Sequence, residues 1–136
     1  YVKALEFVTE EPAGKPLEEA EVIIAGGFGI GSREQWSLLE KLADILEGAV
    51  GCTRPAVDEG LAQEYQMIGT SGKTVRPKVY LGAAISGAAH HICGMKDADF
   101  IININKDEKA SIFEVSDLGV VGDAGTILKI LCDEMS

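Results

Sequence analysis

Five short apolar runs, each closing on glycine or a small polar residue, restrict what this chain can fold into. They are Glu21–Gly27 (EVIIAGG), Ala49–Thr53 (AVGCT), Val79–Ile85 (VYLGAAI), Asp99–Asn105 (DFIININ) and Leu118–Val121 (LGVV). Runs of this length and content read as core strands. Stretches of helical spacing and turns separate them. Strands alternating with helices imply a parallel sheet joined by right-handed crossovers. The expected class is therefore α/β: a three-layer domain of Rossmann-like type, with a mostly parallel central sheet and helices on both faces.

The third run carries the most information. Val79–His91 (VYLGAAISGAAHH) reads as a buried strand that delivers the chain to a small-residue turn and a helix start. Ser86 is expected to cap that helix, and Gly87 to let another group approach the backbone closely. His90 and His91, the chain's two histidines, should lie just past the first helical turn. Free N–H groups at such a start favour an anion or an electron-rich ligand edge.

The remaining chain fits around this pattern. Tyr1–Thr9 alternates like a half-exposed strand, and Glu10–Ala20, with Pro12, Gly14 and Pro16, reads as a linker. Residues 1–20 are expected to be the remnant of a preceding domain, and 21–136 the domain proper. The absence of a methionine at Tyr1 suggests a fragment of a longer protein. After the glycine string Gly26–Gly31, Ser32 and Gln35 form a capping box. Trp36, Leu39, Leu42, Ala43 and Leu46 form the buried stripe of the helix that follows, which Gly48 should end. Pro55 should open another helix and hold Arg54 extended at a strand-to-helix corner, its guanidinium free to reach sideways. Gly60–Met67 is an irregular connection, and Ile68–Thr74 (IGTSGKT) a hydroxyl-rich turn. Ile112–Val115 is expected to be a minor extended piece, and Thr126–Met135 a closing amphipathic helix.

Charge and cysteine content exclude some functions. With 12 basic and 22 acidic residues the net charge is −10, which opposes non-specific nucleic-acid binding and docking on anionic lipid. A phosphate would need local help from helix starts and a few basic groups. The three cysteines, Cys52, Cys93 and Cys132, show no CxxC spacing and read as free thiols of a reducing cytoplasm. No stretch is long and apolar enough to span a membrane.

Single motifs decide little. The glycine string misses G-x-G-x-x-G, because Ser32 stands where the third glycine should be. Gly72-Lys73-Thr74 resembles the end of a phosphate-binding loop, but Met67 occupies its first glycine position. Adjacent histidines on a helix point about 100° apart and cannot easily share a metal, so no metal site is expected. Asn105 and Asp123 each follow an apolar run, where they can meet a ribose or a base, or simply cap a helix. Jointly the signals are stronger. Gly27–Gly31, Thr53-Arg54, Ser86–His91, Asn105 and Asp123 would all line one sheet edge, a site for a long ligand with phosphates and more than one ring system.

The runs GGFGIGS, GCTRPAVDEG, IGTSGKTV, AISGAAHHICGMKDADFIININKDE and SIFEVSDLGVVGD resemble the carboxyl-terminal FAD-binding domain of the electron transfer flavoprotein alpha subunit. The resemblance runs from about Glu21 to the end. It implies a bent FAD held across the strand ends. Thr53 would help hold the pyrophosphate, and Arg54 would lie beside the flavin ring. Ser71 would sit near the flavin N5, with Ile68, Gly69 and Thr70 leading to it. Ser86, Gly87, Ala88, Ala89, His90 and His91 would line the cofactor, His91 facing the pyrimidine end. Asn105, Asp123 and Ala124 would meet the adenosine half. A histidine donor and a nearby arginine stabilise negative charge gathering at N1 and O2 when a flavin takes an electron without a proton. The sequence departs from the family pattern at three places: Phe28 replaces a phosphate-facing arginine found in many members, Thr70-Ser71 a commoner Gln-Thr pair, and Pro55 a small residue.

The resemblance implies an electron carrier without an organic substrate of its own. It would work with a beta subunit, a missing amino-terminal domain, a dehydrogenase and an acceptor, in the cytoplasm. The alternatives are an NAD-linked or other nucleotide-dependent enzyme on a similar sheet, and a binding module that has lost its flavin.

Overall fold

A computed structural model describes residues 17–69 and 72–135. The expected strand Tyr1–Thr9, most of the expected linker, and Thr70-Ser71 lie outside the described residues. Five strands form one sheet: β1 (Val22–Gly26), β2 (Ala49–Cys52), β3 (Val79–Ala83), β4 (Phe100–Asn105) and β5 (Leu118–Val121). Their order is β2-β1-β3-β4-β5, and every pairing is parallel. Ile24 of β1 stands opposite Val50 of β2 and Leu81 of β3, and Leu81 opposite Ile102 of β4. All five apolar runs are therefore strands, in a wholly parallel sheet.

Alternation along β1 divides the core in two. Ile24 points to one face, where helices α1 (Arg33–Ile45) and α4 (Ala124–Met135) cover it with Trp36, Leu39, Leu42, Leu128 and Cys132. Ile23 and Ala25 point to the other face. There Tyr80 and Ile101 pack under Met95 of the short helix α3 (Ala89–Met95), with Ile68, Ile112 and Leu17. The three expected layers are present but unequal: two long helices on one side, one short helix and 3-10 turns on the other. Each large side chain fully removed from water contributes roughly 1.5–3 kcal/mol. Trp36 and Leu39 approach β1 closely because Gly26 offers no Cβ, which would come within 2.7 Å of the Trp36 ring.

Several local expectations need correction. Helix α1 is capped by Ser32, whose Oγ accepts from Gln35 N–H at 3.2 Å, but its left-handed terminator is Glu47 (φ 57), not Gly48. Gly48 instead lies against the Val22 carbonyl, where a Cβ would collide. Leu17–Glu19, assigned to the linker, is a 3-10 turn that buries Leu17. Ser111–Val115 is also a 3-10 turn, not an extended piece. β5 is an edge strand with Leu118 and Val121 exposed, so the fifth run is less buried than its composition implies.

Candidate functional site

A parallel sheet brings the carboxyl ends of all its strands to one edge. Where the order reverses, the connections leave toward opposite faces and open a crevice. Here the reversal lies between β1 and β3, neighbours in the sheet. A cavity of about 710 Å³ occupies this edge, within the size range of small-molecule sites. It is lined by residues that follow each of the five strands: Gly27–Gly29, Thr53-Arg54, Ala84–Ala88, Asn105-Lys106 and Asp123–Gly125. Ile68, Gly69, His90 and His91 complete the wall. Thus Thr53, Arg54, Ile68, Gly69, Ser86, Gly87, Ala88, His90, His91, Asn105, Asp123 and Ala124 come together at one place. Ala89, the exposed first residue of α3, does not line the cavity.

Thr53 follows β2 in extended geometry (φ −95, ψ 166) at the N-cap of helix α2 (Arg54–Asp58). Its side chain makes no capping bond. Oγ1 is buried without a hydrogen-bond partner among the described residues. Leaving such a hydroxyl unsatisfied costs roughly 1–3 kcal/mol. A ligand oxygen would recover that cost, so the donor suits a phosphate oxygen.

Arg54 does not sit extended at the corner. It is the first residue of α2, with Pro55 second. Proline fits this first turn because its missing N–H would have had no intrahelical partner. The guanidinium meets Asp58 one turn on, Nε to Oδ1 at 3.2 Å, with both side chains exposed. An exposed pair of this kind holds the side chain only weakly.

After β3 the chain turns at Ala84, a left-handed alanine (φ 58), and again at Gly87 (φ 100). Ser86 does not cap α3, because Ala88 occupies the N-cap, without a side-chain bond. Gly87 does admit a close approach, but of the chain itself. A Cβ there would strike the Ile112 backbone, whose N–H donates to the Ser86 carbonyl at 3.0 Å.

The histidines fall within the first turn of α3, not past it, and face different surroundings. His90 is exposed on the cavity side. His91 is 3% exposed: Nε2 lies 2.6 Å from the Tyr80 hydroxyl and Nδ1 3.2 Å from the Ile68 carbonyl. Burial lowers its pKa from 6.5 to about 4, against a smaller opposing effect of the Ile68 carbonyl. Both ring nitrogens of His91 thus have protein partners, while the residue also lines the cavity.

Asn105 and Asp123 both serve the backbone while lining the cavity. Asn105 donates Nδ2 to the Ile85 carbonyl at 2.9 Å and accepts from Asp107 N–H at 2.8 Å. Asp123 caps α4, accepting from Thr126 N–H at 3.0 Å and Thr126 Oγ1 at 2.8 Å. The Thr126 N–H and then its hydroxyl hold this carboxyl below its ordinary pKa. Sequence reasoning passed over Lys106, a cation beside this carboxylate at the strand end. Its signal was available: a basic residue directly after an apolar run. Phe28, noted as a departure, stands 57% exposed at the rim.

Among the described residues no group of three or more histidine, cysteine or acidic side chains forms a metal site. All three cysteines are free, and burial pushes the Cys52 thiol up to about 12. No helix among the described residues is long and apolar enough to cross a membrane.

A sequence model of the electron transfer flavoprotein FAD-binding domain matches residues 16–96, more than half of the chain. Protein FixB of Clostridium saccharobutylicum is 44% identical over 126 residues, covering 93% of this chain and 38% of that protein. The electron transfer flavoprotein subunit alpha of Megasphaera elsdenii is 45% identical over 133 residues, covering 96% and 39%. The chain therefore spans about two fifths of the length of these relatives. Among solved structures, a chain described as a thiamin diphosphate-dependent enzyme from Mycobacterium smegmatis superposes with a TM-score of 0.55. It is 12% identical and covers 99% of this chain and 28% of its own, a likeness of fold alone.

Proposed function

Because this chain belongs to the electron transfer flavoprotein FAD-binding domain family, we propose that its strand-end cavity holds FAD. The protein containing it would be an electron transfer flavoprotein alpha subunit, passing electrons between a flavin-linked dehydrogenase and a downstream acceptor. Residues 21–136 would be its carboxyl-terminal domain and 1–20 the end of a preceding domain. Its partners would be that domain, a beta subunit and the two redox proteins, in the cytoplasm. The protein would be a carrier, not an enzyme with its own organic substrate.

The observation that carries this reading is the buried, unpaired Thr53 hydroxyl in the cavity wall. Helix α4 begins at the same edge, where the first-turn N–H groups other than that of Thr126, which Asp123 caps, favour an anion. The pyrophosphate of FAD would satisfy both. Arg54 can swing from Asp58 toward a ring system for a few tenths of a kcal/mol, on the order of an exposed helical ion pair. Ile68, Gly69, Thr70 and Ser71 would flank the ring. Ser86, Gly87, Ala88 and His90 would line the ligand's length, with His91 beneath them as a brace and Ala89 holding the helix start. Asn105, Asp123 and Ala124 would border the adenosine half. Bound FAD supplies the electron chemistry, and the chain binds, orients and shields it.

Titration of the purified protein with FAD tests the reading, following quenching of flavin fluorescence. Saturable binding near one FAD per chain is expected, with no competition by NAD. Binding of NAD in preference to FAD would favour a nucleotide-dependent enzyme instead.

A further inference from the structure

We propose that Tyr80 is a positioning residue for this site: through the His91 ring it pins the turn that starts at Ile68 against helix α3. The inference deepens the proposed FAD reading, since that turn forms one wall of the same cavity.

The hydrogen bonds fix their own direction. The Ile68 carbonyl can only accept, so His91 Nδ1 must carry the proton across the 3.2 Å contact. The ring is buried among apolar neighbours, which favours its neutral form. Nε2 then has a lone pair, and the Tyr80 hydroxyl 2.6 Å away must donate to it. The opposite tautomer would set an Nδ1 lone pair against a carbonyl lone pair. Tyr80 is fully buried in β3, and burial raises its pKa, so the phenol keeps the proton it donates. The accept-only carbonyl of Ile68 thereby fixes the proton on Nδ1, and the Tyr80 hydroxyl on the sheet holds the ring in place by its bare Nε2.

The turn depends on that anchor for its placement. Beyond Ile68 it docks backbone to backbone on α3. A Cβ at Gly69 (φ 140) would come within 2.6 Å of the His90 carbonyl, and one at Gly94 within 2.5 Å of Gly69 N. Val75 N–H donates to the Gly94 carbonyl at 2.8 Å. Within the turn, Gly69 N–H bonds Lys73 O, Gly72 N–H bonds Gly69 O, and Lys73 N–H bonds Met67 O. These contacts set the packing distance. The His91–Ile68 bond is a directional side-chain tie that reaches from α3 to the turn, and Tyr80 orients it.

The test is imidazole nitrogen NMR on the purified protein, combined with amide hydrogen exchange. At neutral pH, His91 is expected as the Nδ1-protonated neutral tautomer. Tyr80→Phe keeps the ring packing but leaves the Nε2 lone pair without its donor, and should move the His91 Nε2 resonance while Nδ1 keeps its proton. Losing the orientation of one buried bond should speed exchange at the Gly69, Gly72 and Lys73 amides by about tenfold. Strand amides of β1 should change less. An Nε2-protonated His91 in the unaltered protein would overturn the proposal even if Tyr80→Phe failed to fold. So would an unchanged Nε2 resonance together with unchanged turn exchange in a folded Tyr80→Phe variant. These readouts need no FAD, so failure of the cofactor reading and failure of this one are separate results.

Discussion

Asn105 donates its carboxamide to the Ile85 carbonyl at 2.9 Å, tying the end of β4 to the loop that leaves β3. The same side chain accepts from Asp107 N–H and shapes its own turn. Beyond the backbone ladder of β3 and β4, this partly buried amide thus adds a side-chain tie between two of the strand ends that border the cavity. Asn105→Ala should cost roughly 1–3 kcal/mol, the penalty of leaving a carbonyl unpaired plus a lost turn bond. Chemical denaturation should show the midpoint falling with an unchanged slope. A midpoint that stays in place would mean water replaces the bond without loss.

Thr53→Val should separate stability from binding. Valine matches threonine in shape and removes a buried hydroxyl that has no partner among the described residues. The ligand-free protein should be as stable as before, or more so. Affinity for FAD should fall about tenfold, as expected for one hydrogen bond to a charged phosphate. Equal affinity in the two proteins would remove Thr53 from the proposed pyrophosphate site.

Asp123 is exposed, so its effect should be that of a helix cap. Asp123→Ala should lower the melting temperature, and Asp123→Ser should restore most of the loss. Its pKa is depressed in the folded chain. The stabilisation is therefore present above the unfolded-state value and lost as pH falls through the folded one. Melting curves across acidic pH should show this dependence for the native residue and lose it in Asp123→Ser.

His91 makes the opposite kind of acid sensor, a base kept neutral by burial. Its folded pKa, about 4, lies below the ordinary 6.5. The unfolded chain thus binds the extra proton first as pH falls. Stability is full above about 6.5 and declines toward pH 4, by a total on the order of 3 kcal/mol. His91→Gln should flatten this part of the profile. An equally steep profile in His91→Gln would place the sensitivity elsewhere.

Much of this architecture was legible because a buried parallel strand has a plain signature. Ile23, Ile24 and Ala25, or Ile101 and Ile102, have no polar side to show. The glycine and small polar residues that close such runs then fall on one edge by topology, which is why Thr53, Ser86, Asn105 and Asp123 were found. Contacts decided elsewhere were not legible. Pro55 biases Arg54 toward extended geometry locally, yet starting α2 one residue earlier leaves the extended role to Thr53. The 3-10 turn at Ser111–Val115 depends on meeting Gly87, 24 positions earlier in the case of Ser111. His91 turns inward because its partners, Tyr80 and Ile68, belong to other segments. A doublet of histidines does not say which one is buried.

The central claim is that the five strand ends form a single FAD cradle. Calorimetric titration of FAD into the unaltered protein, Thr53→Val and Asn105→Ala, with NAD as competitor, tests it most directly. The account predicts one FAD per chain, weaker binding in both variants, and no displacement by NAD. FAD binding that neither substitution weakens, or a protein that takes NAD and refuses FAD, would contradict it.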